Sequence, residues 1–303
     1  MKDTSGNSVG PTSEPVFNYS AQQLECCLDP LAKILHGLCR GGQTAIAGIQ
    51  GGQGTGKSTL ARYLACRLRA EGRRVVSFSI DDFYTSDADR RQLAAQHPGN
   101  SYYQLPRGMP GTHRTALLHA SLAALKVGKD VDLPVFDKSA HQGRGDISPR
   151  VVPVRERQDL VLFEGWCTGI PTTSTEELTA LCQRLGLTDL WPLPPAEHTD
   201  AVLAQLGAYQ PAWALIDFLI MLLPDSPLLH ETWRLEQERD LIARAGTGLT
   251  GEQIREMVRH FTPLTCLCYE SLAPDLRLRI NRDHQYYELV PPPAREEWLM
   301  GNG

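Results

Sequence analysis

GIQGGQGTGKST (Gly48–Thr59) follows the apolar run TAIAGI (44–49) and opens a stretch with helical apolar spacing. Residues 51–58 fit GxxxxGK[ST], and a strand before and a helix after are the context that pattern needs. Gly51, Gly52, Gln53, Gly54, Thr55 and Gly56 supply backbone N–H groups able to turn inward on a β-phosphate, and the helix start adds partial positive charge. Lys57 can reach the β- and γ-phosphates, and the Ser58 hydroxyl, with Thr59 beside it, can ligate Mg²⁺. A glycine-rich turn ahead of an ordinary helix would rarely place Lys-Ser at this offset. The stretch therefore implies a bound nucleoside triphosphate. It leaves GTPase, motor, ATPase and small-molecule kinase open.

The chain has 303 residues, 42% of them hydrophobic, and a formal net charge of −5. That is enough to bury a substantial core, and the charge balance gives no sign of nucleic acid or an anionic membrane as partner. Residues 1–19, polar and rich in Gly, Ser, Thr and Pro, read as a disordered tail without the order of a secretory signal. Residues 20–303 read as a single domain, expected to be monomeric. No apolar run approaches the roughly 18 to 20 residues of a membrane span. The longest, LIDFLIMLL (215–223), carries Asp217 and reads as a buried strand. Eight cysteines without CxxC spacing point to reduced thiols in a cytoplasm. Cys266 and Cys268 near His260 read as core rather than as metal ligands.

Apolar periodicity alternates between strand and helix, the pattern of an α/β fold. It predicts parallel strands at 44–49, 74–80, 159–165, 218–223 and 276–280. Helices are predicted at 21–39, 57–70, 87–96, 115–126, 227–243 and 251–272, with irregular stretches at 98–111, 134–153 and 191–198. Loops of that length in a compact domain are usually functional or disordered. The segment 172–209 reads as an insert that could be a lid, a partner surface or ordinary packing.

Two further motifs bear on the chemistry. SIDDFY (79–84) ends the second strand and places Asp81 and Asp82 at the carboxyl edge of the sheet, beside the phosphate loop. A carboxylate there can take a proton from a substrate hydroxyl, while an aspartate after a strand can equally cap the next helix. LFEGW (162–166) ends the third strand with Glu164, an acid placed to hold Mg²⁺ through water or to sit as a buried, paired carboxylate.

GGQGTGKST, SIDDFY and LFEGW, in that order, resemble the P-loop kinase family that includes uridine kinase, phosphoribulokinase and bacterial pantothenate kinase. RGMPGTHRTALL (107–118), LPVFDKSAHQGRGD (133–146), LFEGWCTG (162–169) and WRLEQERDL (233–241) resemble its D-glycerate 3-kinase branch. The resemblance implies a three-layer P-loop fold with a five-stranded, mainly parallel sheet, helices on both faces and a helical lid within 172–245. It implies transfer of the γ-phosphoryl group of ATP, with Mg²⁺, to a small hydroxy acid.

By the same resemblance Asp81 is the catalytic base, with Lys57 and the lid's Arg234 on the transferring group, and Arg239 less surely so. Ser58, Glu164 and Asp82 serve the metal. Arg107, His113, Asp137, Lys138 and Arg144, in acceptor loops 98–114 and 134–150, meet the acceptor, and Arg114 either joins them or lies on a solvated helix face. Val135 and Phe136 depart from the family pattern, which usually has a basic residue and a tyrosine there. A uridine- or pantothenate-like acceptor, or a regulatory nucleotide-binding protein without turnover, remains as an alternative.

Overall fold

In chain order the strands are β1 (Ala45–Gly51), β2 (Val75–Ser79), β3 (Val131–Asp137), β4 (Asp146–Val154), β5 (Leu160–Gly165), β6 (Phe218–Pro224), β7 (Leu276–Ile280) and β8 (Tyr286–Val290). They belong to a computed structural model that describes residues 17–39, 42–189, 192–245 and 249–291. β1 lies inside a six-stranded sheet of order β2-β5-β1-β6-β7-β8. It pairs in parallel with β5 on one side and β6 on the other. The side chains of β5 are buried along its whole length, as expected of a parallel strand covered on both faces.

Side chains of these strands divide between two cores. Ile46, Val161, Phe163, Val76 and Phe78 face one core, with Leu118, Leu122 and Leu125 of the helix Thr115–Lys126 and Phe261 and Leu264 of the helix Gly251–Ser271. Ala47, Ile49, Leu160, Leu162 and Ile220 face the other, with Leu60, Leu64 and Leu68 of the helix Lys57–Ala70 and Leu31 and Leu35 of the helix Asp29–Leu38. Helices thus cover both faces of the sheet, which the strand periodicity requires.

The sheet has one strand more than the five predicted. β8 adds antiparallel to β7 at the edge. Its residues Tyr287 to Val290 are partly or fully exposed, so it lacks the apolar run that marks the others. The stretch 134–153, expected to be irregular, mostly belongs to a separate antiparallel hairpin of β3 and β4 with a register shift between Pro134 and Phe136. The predicted N-terminal helix is present over Ala21–Leu38 but carries a π-helical stretch at Leu24–Leu28.

Of the expected tail, residues 1–16 lie outside the described residues, as does Trp191 of the irregular stretch 191–198. At 17–19 the structure departs from disorder: the rings of Phe17 and Tyr19 pack on Tyr63, and Tyr19 also on Tyr286. Part of the insert 172–209 packs on the core. Val202, Leu203, Leu206 and Tyr209 join the core beside Tyr102 and Tyr103, and Asn100 Nδ2 donates to the His198 carbonyl at 3.1 Å. Among the described residues no helix is long and apolar enough to cross a membrane, and no group of three or more His, Cys, Asp or Glu could hold a metal ion. All eight cysteines are free, and Cys266 and Cys268 are buried in the core.

Candidate active site

The sheet topology brings three strand ends together. β5 lies between β1 and β2, and Glu164 near its end is level with Ile49 of β1 and Ser79 of β2. The phosphate loop leaves β1 and SIDDFY leaves β2 at that same edge, so Lys57, Ser58, Asp81 and Glu164 meet from segments far apart in sequence.

The loop is shaped by its glycines at two positions in particular. Gly54 and Gly56 have φ of +78° and +85°, a region costly for residues with a Cβ, and Gly56 caps the helix Lys57–Ala70. Lys57 Nζ donates to the Gly52 carbonyl at 2.9 Å, as does Thr55 Oγ1 at 2.9 Å. Ser58 Oγ donates to Glu164 Oε1 at 2.7 Å. Glu164 is buried, which pushes its carboxyl up against the opposing charge of Lys57. Burial pulls the Lys57 ammonium down, against the charges of Glu164 and Asp81. A hydroxyl and a carboxylate in contact form a hard-oxygen pair of the kind Mg²⁺ takes.

Asp81 and Asp82 separate cleanly. Asp82 accepts from the backbone amides of Ser79 at 3.3 Å and Phe136 at 3.5 Å, capping its own turn and tying β3 to it. Both oxygens of its carboxylate are thus engaged with backbone, and burial pushes its pKa up. Asp81 Oδ2 accepts from Lys138 Nζ at 2.6 Å and Oδ1 from the Tyr84 hydroxyl at 3.1 Å. Burial alone would raise the Asp81 carboxyl; the charge and hydrogen bond of Lys138 outweigh it and hold its pKa below the usual carboxylate range. Lys138 is correspondingly raised by Asp81 against its own burial.

His113 lies at the same place. Its ring stacks on Tyr84 with centroids 4.4 Å apart, and Nδ1 is 2.8 Å from the Tyr209 hydroxyl. Burial holds its pKa down to about 4, partly opposed by Asp81, so the ring is neutral. The Tyr209 hydroxyl also accepts from the Gly111 amide at 3.3 Å. Nε2 is buried with no hydrogen-bond partner among the described residues. The ring does not cap the helix that follows.

Other expected residues are placed away from this cluster or used for support. Arg107 Nη1 donates to the carbonyls of Gly143 at 2.6 Å and Arg144 at 3.1 Å, joining the segments 98–114 and 134–150. Arg144 pairs with Asp87 at 2.8 Å. Asp137 caps Ser139 through its amide at 2.9 Å and its hydroxyl at 2.6 Å. Arg234 forms an ion pair with Glu238, 2.9 Å away and one turn along the helix Leu229–Ala245, and Arg239 is exposed. Arg114 Nη2 reaches the Asp82 carbonyl at 3.4 Å.

Sequence reasoning missed four contributors. Tyr84 stood in plain view three residues after Asp81, where a turn brings i and i+3 together. Arg90, on the helix Asp87–Gln96, donates to Pro106 O at 2.9 Å, Arg144 O at 2.9 Å and Gly145 O at 2.6 Å, and also to Thr85 O. It read as one more charge on a polar helix. His230 and Tyr269 reach the phosphate loop from helices whose local pattern carries no trace of that contact.

No protein-family model matches the chain. It is 35% identical over 251 residues to an uncharacterized kinase from Schizosaccharomyces pombe, covering 79% of this chain and 87% of that protein. It is 27% identical over 238 residues to the chloroplastic D-glycerate 3-kinase of Arabidopsis thaliana, covering 76% of this chain and 48% of the plant protein. The solved structure of a D-glycerate 3-kinase from Cryptococcus neoformans var. grubii superposes with a TM-score of 0.75 at 26% identity, over 87% of this chain and 98% of that one. Each of these likenesses covers three quarters of the chain or more. With the fold and the meeting of its motifs at one sheet edge, they establish that the chain belongs to the P-loop kinase family of phosphoribulokinase and uridine kinase.

Proposed function

We propose that the chain is an ATP- and Mg²⁺-dependent kinase that phosphorylates a hydroxyl of a small hydroxy acid, with D-glycerate giving 3-phosphoglycerate. The observation that carries the reading is the meeting of Lys138 and Asp81, 2.6 Å apart, beside the half-buried Lys57 and the buried Glu164. An acceptor with both a hydroxyl and a carboxylate matches that pair of opposite charges. Its hydroxyl donates to the Asp81 carboxylate while its own carboxylate is drawn to Lys138, with Arg107 adding positive charge nearby. The names of the Arabidopsis and Cryptococcus relatives point to the same acceptor.

In the reaction the acceptor oxygen bonds to the γ-phosphorus as the bond from that phosphorus to the bridging oxygen of ADP breaks, and the hydroxyl proton passes to Asp81. The transition state is loose, so aligning the hydroxyl matters more than pulling its proton. A carboxylate held below its usual pKa suits such alignment, because it stays ionised and accepts a hydrogen bond, and takes the proton only as the oxygen loses its basicity. Lys57 meets charge on the β- and γ-phosphates, and Arg234 would leave Glu238 to do the same from the lid. Ser58 and Glu164 are the residues that would hold Mg²⁺, whose chemistry when bound is to neutralise phosphate charge.

The test is ADP release measured across D-glycerate, uridine, pantothenate and sugar acids, with the Asp81→Asn variant run beside the unaltered protein. Glycerate is expected to stimulate release, and Asp81→Asn to lower that turnover by about 10²-fold while nucleotide affinity is kept. Strong stimulation by another acceptor and none by glycerate would overturn the assignment.

A further inference from the structure

Two helices from beyond β6 close on the back of the phosphate loop through a short chain of hydrogen bonds. The Gly52 amide donates to the Tyr269 hydroxyl at 2.8 Å. That hydroxyl is 3.1 Å from His230 Nε2, and His230 Nδ1 is 2.8 Å from the Gln53 carbonyl. Only one placement of protons satisfies all three contacts with a neutral ring. The amide can only donate and the carbonyl can only accept, so Nδ1 carries the imidazole proton and the tyrosine hydroxyl donates to Nε2. Burial, with the charge of Lys57 adding to it, holds the His230 pKa down to about 4 despite its bond to Gln53, so the neutral form is the one present.

The packing around this relay is close. His230 is 2% exposed, its ring stacks on Tyr269 with centroids 5.9 Å apart, and Trp233 meets it edge-on at 5.9 Å. Trp233 is itself fixed by donating from Nε1 to the Arg282 carbonyl at 2.9 Å. A Cβ on Gly52 would overlap the His230 ring, and one on Gly54 would come within 2.6 Å of Trp233 Cβ. The loop's glycines thus admit this pair of helices as well as setting the loop's own turn. Gly52 is held from both ends of its residue, its amide by Tyr269 and its carbonyl by Lys57 and Thr55.

We propose that Tyr269 and His230 are positioning residues that hold the Gly52–Gln53 turn in the shape that receives the nucleotide phosphates. The proposal rests on the nucleotide-binding reading of the loop. A glycine-rich loop left free would have to be ordered each time a nucleotide bound, and that ordering cost would be subtracted from its affinity. The relay meets the cost when the chain folds. Neither residue needs to touch the nucleotide for this to work.

Calorimetric titration with MgADP tests it, on the unaltered chain and on Tyr269→Phe, His230→Asn and His230→Leu. The unaltered chain is expected to bind; if it does not, the reading of the loop fails, and the proposal with it. Tyr269→Phe removes one oxygen and keeps the ring, and is expected to weaken MgADP by about three- to tenfold, the worth of one net hydrogen bond. His230→Asn keeps an N–H for the Gln53 carbonyl and is expected to retain more affinity than His230→Leu, which keeps none. A double variant of Tyr269→Phe with His230→Leu is expected to lose less than the product of the two single losses, because both break one relay. A role confined to packing would lower the melting temperature and leave the affinity of the folded protein unchanged. Unchanged MgADP affinity in Tyr269→Phe, or in His230→Leu should the tyrosine variant fail to fold, overturns the proposal.

Discussion

Asp81 and Lys138 fix each other's charge. Burial raises the carboxyl, yet an ammonium 2.6 Å away brings its pKa below the ordinary aspartate value, and the ionised form persists wherever the lysine stays protonated. Removing the lysine charge leaves burial to act alone. In Lys138→Met the acid limb of the kcat/KM profile, followed as acceptor-stimulated ADP release, is expected to move upward by about one pH unit or more. A limb that stays in place would separate Lys138 from control of Asp81. At this scale the sequence was legible where a motif fixes spacing: Lys57 and Ser58 in the loop, Asp81 after β2 and Glu164 in β5 meet as their strand ends suggest. It was not legible for choices made by partners distant in sequence. Phe136 and Ser79 turn Asp82 into a cap, Asp87 draws Arg144 away and Glu238 holds Arg234.

Elements were readable in proportion to how uniform their burial is. β1 and β5 are continuous apolar runs because helices cover both faces, whereas β4 is exposed along nearly all of its length and offers no alternation to read. One side chain that the hairpin's own sequence does not contain helps to hold it in place. Arg90, 4% exposed, gathers the carbonyls of Pro106, Arg144 and Gly145 with that of Thr85, and its guanidinium lies over the Phe136 ring, 5.3 Å from the centroid. The segments 98–114 and 134–150 therefore meet on a cation. Arg90→Met keeps the volume and leaves several carbonyls without a donor, and leaves Asp87 with one cation fewer. It is expected to cost about 3 kcal/mol in urea-unfolding free energy, and to raise the acceptor KM more than that of the nucleotide. An unchanged unfolding midpoint would show that the hairpin is held in place by other contacts.

Over the whole molecule two of the buried histidines, His113 and His230, make stability depend on acidity in a defined window. His113 and His230 lie against different loops of the same site, and burial takes both pKa values from the ordinary 6.5 down to about 4. A depressed histidine binds its proton more weakly in the folded chain than in the unfolded one. Stability tied to it is fully present above about pH 6.5 and is lost as pH falls toward about 4, at a slope of at most about 1 kcal/mol per pH unit for each residue. Asp81, Asp87 and Asp159 also have lowered pKa values, but their contribution is present above the ordinary carboxylate value and disappears only below it. Glu164 and Asp82, with raised values, act in the opposite sense: their contribution is present below the ordinary value and is lost as pH rises through the folded one. Comparing variants at matched pH separates the histidines from these carboxylates. Thermal midpoints between pH 7 and pH 5 are expected to fall for the unaltered chain, and to fall less steeply for His113→Gln and for His230→Asn, each of which removes one of the two titrating rings. Equal slopes in all three proteins would mean that the rings take up protons without opening the site. A proton on His230 Nε2 would reverse its hydrogen bond with Tyr269 and set a second positive charge near Lys57, so MgADP binding is expected to weaken before global unfolding as the pH is lowered.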